Sequence, residues 1–329
     1  MVRKHPVVWQ KGYLCRAIFS TFPVNIRTMH TIEALEREMA MQLGFLRAFV
    51  PQKTLSKEEQ RRTIFCGAGD SFAAAQLAEV FSGYNTRAHD PLDLVKNKDM
   101  LRGRDLYLIS VSGNTASNIA LAKIHKKTVA ITADKNSRLA RACHRVIPLK
   151  FESTGMQTSG SISFLATALT CLSLVTKFRL ENVPDIYKAA RKTASIPISQ
   201  KIYVLGNLYT MPLAFFCAAK LSEVLGTDAH YERIEQFCHA GVFTARKGDT
   251  IILFEKKNPH NQRLLQTLGR SGLVARRMDP KTDDPLGQVL FFIFVSEFLA
   301  LRAAKKKKRK DCFFIEETNL RNTSSSMIY

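Results

Sequence analysis

Acid is scarce in this chain: 28 aspartates and glutamates stand against 49 lysines and arginines, a formal charge of +21 over 329 residues. Such an excess suits nucleic-acid binding, and Lys305-Lys306-Lys307-Lys308-Arg309-Lys310 concentrates it. Missing, however, is the aromatic interleaving of a base-stacking platform. The basic run also follows an apolar helical stretch ending near Ala304, where cations complement the helix dipole and face solvent. Nucleic acid is therefore not an expected partner. The charge reads more simply as long-range attraction for an anionic small molecule.

Long apolar runs are missing too. The longest, Val289 to Leu301, falls short of the roughly 18 residues of a membrane span and carries Glu297. No membrane association is expected. Near the N-terminus, Arg16 interrupts the apolar core that a signal peptide needs, and a leader without regular structure is expected before Met29. Its lack of acidic residues leaves a transit peptide open. The seven cysteines form no Cys-x-x-Cys pair and several lie in apolar segments, as buried free thiols do. A cytoplasmic location follows. His and Cys never cluster at ligand spacing, and the adjacent Cys238 and His239 would splay apart, so no metal or other cofactor is expected.

Two strand-to-helix turns carry the chemistry. The apolar run Leu106-Tyr107-Leu108-Ile109 empties into Ser110-Val111-Ser112-Gly113-Asn114-Thr115, and a helix follows from Ala116 to Lys126. Unpaired helix-start amides, a favourable dipole and three hydroxyls make a phosphate cradle, and Gly113 admits close approach of the backbone. A plain capped turn is the competing reading. The other turn, Gly67-Ala68-Gly69-Asp70-Ser71, comes first in the chain: it follows the short strand Thr63–Cys66 and opens a helix from Phe72 to Phe81. Position 72 is Phe where a dinucleotide fingerprint needs a third glycine, so a small phosphorylated ligand fits better than a nucleotide.

Around these turns strand and helix signals alternate, the signature of an α/β fold with parallel sheets. An amphipathic helix over Thr31–Phe49 places Ile32, Leu35, Met39, Leu43 and Leu46 at helical spacing. The alternation runs to a long apolar helix beginning at Ile162, breaks at Glu181–Asp185, and resumes at Lys201–Gly206. The expected organisation is a leader plus helix over 1–54, a first lobe over 55–180, and a second lobe with C-terminal tail over 198–329. In the second lobe, Met211–Leu225 is nearly all apolar, with Lys220 and Glu223 its only charges. That pair reads either as an i,i+3 ion pair or as a base in a buried site.

Gly67-Ala-Gly-Asp-Ser71, Ser110-Val-Ser-Gly-Asn-Thr115, and Ile131-Thr132 followed by Ser137-Arg-Leu-Ala-Arg141 resemble the sugar isomerase (SIS) domain of phosphosugar enzymes. Lys220-Leu-Ser-Glu223, with His239 sixteen residues beyond the glutamate, resembles the isomerase half of glutamine–fructose-6-phosphate aminotransferase. The resemblance implies two tandem SIS-type lobes, each a parallel sheet flanked by helices. It implies that Ser71, Ser110, Ser112 and Thr115 hold a sugar phosphate and that Gln157 and Thr158 line the sugar. Glu223, with Lys220 beside it, would move a proton between C1 and C2. His239 would open the sugar ring, reaching the site from the neighbouring subunit of a homodimer.

Departures from the family narrow the function. Residue 2 is Val where the aminotransferase's glutaminase domain begins with a nucleophilic cysteine, so glutamine-dependent amination is not expected. The family's tail lysine is replaced by Asn322, one position after Arg321, and arginine does not lose the proton that a Schiff base requires. Both residues remain candidates for contact with the sugar. The reading is a metal-independent isomerase of a hexose or hexosamine 6-phosphate, extending to deamination of glucosamine 6-phosphate. A bifunctional phosphoglucose/phosphomannose isomerase and a non-catalytic sugar-phosphate-binding regulator are the alternatives.

Overall fold

The computed structural model describes residues 29–329; the expected leader lies outside them. The first half runs α1 (Thr31–Ala48), α2 (Lys57–Arg62), β1 (Thr63–Cys66), α3 (Asp70–Phe81), β2 (Arg87–His89), α4 (Pro91–Lys96), β3 (Asp105–Ile109), α5 (Ala116–Ile124), β4 (Thr128–Thr132), α6 (Arg138–Ala142), β5 (Arg145–Pro148) and α7 (Ile162–Val175). The second runs α8 (Val183–Thr193), β6 (Lys201–Gly206), α9 (Thr210–Leu225), β7 (Asp228–Arg233), α10 (Ile234–His239), β8 (Thr250–Leu253), α11 (Pro259–Arg270), β9 (Val274–Arg277), α12 (Pro285–Lys306), α13 (Phe313–Glu316) and α14 (Thr318–Ile328).

Two all-parallel sheets result, ordered β2-β1-β3-β4-β5 and β7-β6-β8-β9. Their inner strands β1, β3, β4, β6 and β8 are short apolar runs covered on both faces, as parallel sheets require. Successive residues alternate between faces. Phe65, Tyr107 and Ile109 join the same large core as Ile202, Val204 and Phe254, together with α7, α9 and α12. Ile64, Cys66, Leu106 and Leu108 point the other way, toward Leu94, Ile119 and Leu139. A third core does the same for the outer face of the second sheet, around Tyr203, Leu205 and Phe237. One apolar layer of helices thus lies between the sheets, joining the two halves of the chain.

Three differences from the sequence reading have physical causes. Strands β2 and β7 were missed because they are edge strands rich in charge, Arg87-Ala-His89 and Asp228-Ala-His-Tyr-Glu-Arg233, which join their sheets by backbone pairing rather than apolar pattern. The segment Glu181–Asp185 starts a helix instead of only breaking one: Pro184 falls in the first turn of α8, where its missing N–H costs nothing, and Ile186 and Ala190 are buried. Finally, α12 extends to 22 residues, enough by length and composition to cross a bilayer, but 89% of its apolar window is buried inside the protein. It is the central core helix.

Candidate functional site

Strand β1 has β2 on one side and β3 on the other. The chain therefore leaves β1 through α3 in one direction and reaches β3 in the other. That reversal opens a crevice beyond the carboxyl ends of β1 and β3, where open parallel sheets bind ligands. Both hydroxyl-bearing turns sit at this edge.

Glycines shape each turn. Gly113 has φ +64°, and a Cβ there would lie 2.1 Å from Ser137 Oγ. Gly69, at φ +57°, precedes α3. Neither α3 nor α5 has a side-chain cap. The Ser71 and Phe72 amides of α3 donate to the Ala68 and Gly69 carbonyls, whereas the first amides of α5 have no partner among the described residues and stay open to an anion. In the second turn, Ser110 Oγ accepts from Gly113 N–H at 3.1 Å and pairs with Thr115 Oγ1 at 3.0 Å. Ser112 Oγ accepts from Asn114 N–H at 3.3 Å and is exposed. The loop is thus pre-formed by its own hydroxyls.

A comparison within the chain separates the sheets. Gly67 follows β1 and would strike Ser71 if given a Cβ; Gly206 ends β6 and would strike Thr210 in the same way. Thr210 Oγ1, however, donates to Asn207 C=O and accepts Asn207 N–H, both at 2.8 Å. Ser71 Oγ has no hydrogen bond among the described residues. One turn is closed on itself, and the other keeps a hydroxyl to offer.

The second half contributes Lys220 and Glu223 from α9. Lys220 is only 1% exposed, packed over the Phe216 ring at 5.0 Å, and its Nζ donates to Glu223 Oε2 at 2.8 Å and Asp70 Oδ2 at 3.1 Å. The expected i,i+3 pair is therefore present, but as part of a larger group that includes an acid from the first turn. Burial works against the Lys220 charge, yet the flanking carboxylates outweigh it and hold the ammonium above the ordinary lysine range. Burial pushes the Asp70 carboxyl up to about 6; Lys220 opposes the rise and Glu223 adds to it. Glu223 keeps a 41% exposed side chain and also accepts Ser159 Oγ–H at 2.6 Å. A half-open carboxylate held between an ammonium and a hydroxyl is aimed and available, as a general base must be.

Ser159 belongs to the loop between β5 and α7. A Cβ at its neighbour Gly160 would fall 2.3 Å from Asp70 Oδ2 and 3.5 Å from Lys220 Nζ, so only glycine lets this loop close over the charged group. In the same loop Gln157 is exposed, while Thr158 Oγ1 donates to Glu38 Oε2 at 2.9 Å. His239 is exposed at the end of α10, with no hydrogen bond or ion pair among the described residues. Helix α14, which carries Arg321 and Asn322, buries none of its residues. The fold thus draws together the first turn, Lys220 and Glu223; among the described residues His239, Arg321 and Asn322 make no side-chain hydrogen bond or ion pair with that group. Asp70, Ser159, Gly160 and Glu38 went unassigned in the sequence. Asp70 could have been noticed as an acid inside a glycine- and hydroxyl-bearing turn, and Glu38 as a charge among the apolar positions of α1.

The fold recurs in solved structures. A glucosamine-6-phosphate deaminase from Thermotoga maritima matches 85% of this chain and 95% of its own at a TM-score of 0.65 and 17% identity. The tagatose-6-phosphate ketose/aldose isomerase of Escherichia coli matches 85% of this chain and 90% of its own at 0.63 and 17%. The C-terminal domain of glucosamine-fructose-6-phosphate aminotransferase from Francisella tularensis matches 84% and 96% at 0.62 and 15%. The chain has the fold of the phosphosugar isomerases. No family model and no curated protein matches its sequence. The likeness lies in tertiary structure and bears out the two-lobed α/β architecture expected from the motifs.

Proposed function

We propose that this protein isomerises a hexose or hexosamine 6-phosphate between its aldose and ketose forms. The observation that carries the reading is the Asp70–Lys220–Glu223 group, which joins an anion-binding turn of one sheet to a poised carboxylate from the other half. Fold neighbours whose names specify glucosamine-6-phosphate deamination and ketose/aldose isomerisation support it.

In this reading Ser71, Ser110, Ser112 and Thr115, with the open amides at the start of α5, hold the phosphate. Gln157 and Thr158 lie along the sugar. Glu223 takes the proton from C2 of the open aldose as C1 oxygen is protonated, giving an enediol. It returns that proton to C1 as the C2 carbonyl forms, so nothing is oxidised or lost overall. Lys220 and Ser159 keep Oε2 occupied, leaving Oε1 for the carbon-bound proton. His239 of a second subunit would open the ring, and Arg321 and Asn322 would approach from the tail.

The test is incubation of the purified protein with fructose, glucose, mannose and glucosamine 6-phosphates. Interconversion or ammonia release is expected with at least one of them, and Glu223→Gln should abolish it while preserving ligand-induced thermal stabilisation. Failure to turn over any of the four would overturn the proposal. A sugar-phosphate-binding regulator is the second reading, favoured by Asn322 where the related isomerase tail has lysine. It requires binding without turnover.

A further inference from the structure

Helix α1 precedes both sheets, yet it delivers a carboxylate beside the site. Glu38 is 4% exposed and accepts four hydrogen bonds from one loop. Its Oε1 takes Thr154 N–H at 3.2 Å and Thr154 Oγ1–H at 2.8 Å; its Oε2 takes Thr158 Oγ1–H at 2.9 Å and Ser161 Oγ–H at 3.2 Å. This loop has little else to define it. Between residues 150 and 160 no backbone–backbone hydrogen bond forms among the described residues, and a segment without such bonds takes its shape from side-chain partners.

The anchor itself is firm. Ile32, Leu35 and Met39 bury the apolar face of α1, which packs on α7 and α12. Asp311 caps its first turn by accepting Thr31 N–H at 2.8 Å and Thr31 Oγ1–H at 2.9 Å. One turn beyond Glu38, Gln42 donates to Glu297 of α12 at 2.7 Å. The far end of the loop bears Ser159, bonded to Glu223, and Gly160, in close contact with Asp70.

We infer that Glu38 is a positioning residue of the site: through the Thr154–Ser161 loop it holds Ser159 on Glu223 and Gly160 against Asp70. The inference rests on the isomerase reading for its effect on rate, but not for its effect on the loop. Glu38 touches no reacting atom. It acts through three hydroxyls and a backbone amide, and a glutamine there can accept from only one side of its amide group.

Glu38→Gln tests this. Amide hydrogen exchange over residues 153–161 should quicken while the strands of both sheets keep their protection, because only the loop loses its partner. Turnover of the accepted sugar phosphate should fall by about 10²-fold, the scale of a small misplacement of a catalytic group, with KM changing much less. Combined with Ser159→Ala, the losses should be far from additive, since both changes act on one chain of contacts. Thr154→Val, which removes one loop-side bond and leaves α1 intact, should move exchange and rate in the same direction by less, and it serves if Glu38→Gln does not fold. Unchanged loop exchange in both variants, or additive losses with Ser159→Ala, would overturn the inference. Loop exchange that quickens in Glu38→Gln, when the wild type itself turns over no sugar phosphate, would instead remove the isomerase reading and leave the role of Glu38 in holding the loop standing.

Discussion

Asp70 and Lys220 are 150 positions apart, and their carboxylate and ammonium meet at 3.1 Å. Asp70 starts α3, directly before Ser71, while Lys220 lies one helical turn from Glu223. A single contact therefore links the place where an anion would arrive to the group that would move a proton. The arrangement leaves two carboxylates sharing one cation, so protonation of either alters the other.

That sharing predicts an acid limb in the rate profile. As the pH falls through about 6, Asp70 takes up a proton. Lys220 then loses one of its two carboxylate partners, and the ion-pair geometry that aims Glu223 is disturbed. kcat/KM should fall below this pH in the wild type. Asp70→Asn should lose the limb and run at the low-rate plateau throughout. A limb that persists in Asp70→Asn would exclude Asp70 as its source.

The paired turns make a second prediction. Ser71→Ala should reduce the thermal stabilisation produced by a sugar phosphate or inorganic phosphate, because it removes a hydroxyl with no internal partner. Thr210→Ala should leave that ligand-induced shift intact and instead lower intrinsic stability, by about 1 kcal/mol for its lost internal bonding. Melting curves of both variants with and without ligand decide the matter. Equal loss of ligand response would show that the two sheet edges do not differ in the way proposed.

Gly160→Ala adds one methyl group and removes no charge, yet its Cβ would sit 2.3 Å from Asp70 Oδ2. Overpacking of this kind costs about 1–3 kcal/mol. It should also push Asp70 off Lys220 and depress turnover. Gly44→Ala on α1, where a Cβ meets nothing within 4 Å, is the control, expected to raise stability by about 0.5–1 kcal/mol. Denaturant titrations and initial rates for the two variants provide the comparison.

Glu297 provides a prediction about stability and pH. It lies buried in α12; burial pushes its carboxyl up to about 8 from an ordinary 4.5, and Gln42 only partly offsets this. A raised folded-state value means that the protonated form stabilises the fold. Its contribution is present below 4.5 and is lost as the pH rises through 8. Glu297→Gln, neutral at every pH, should melt close to the wild type in acid and progressively above it as the pH rises. Melting temperatures measured across this window test the sign, and a difference that does not change with pH would refute it.

Much of the architecture was legible before any coordinates. The two glycine- and hydroxyl-bearing turns, the helical spacing of Ile32, Leu35, Met39 and Leu46, and the apolar helix around Lys220 and Glu223 are local patterns. They follow from what a few neighbouring residues can do with backbone and water. The edge strands β2 and β7 escaped because hydrogen bonding to a neighbour, not apolar periodicity, makes them strands.

The sequence by itself determined most of the strands, turns and helices, the edge strands β2 and β7 apart, because those choices are settled by periodicity, capping and glycine over a handful of residues. Only the tertiary structure decided that Asp70 would meet Lys220, that Ser159 would bind Glu223, and that Glu38 would reach Thr154, Thr158 and Ser161. Each of these contacts joins residues at least 64 positions apart. Their formation depends on how the central helices dock between two sheets, and no local rule of the chain encodes that distance.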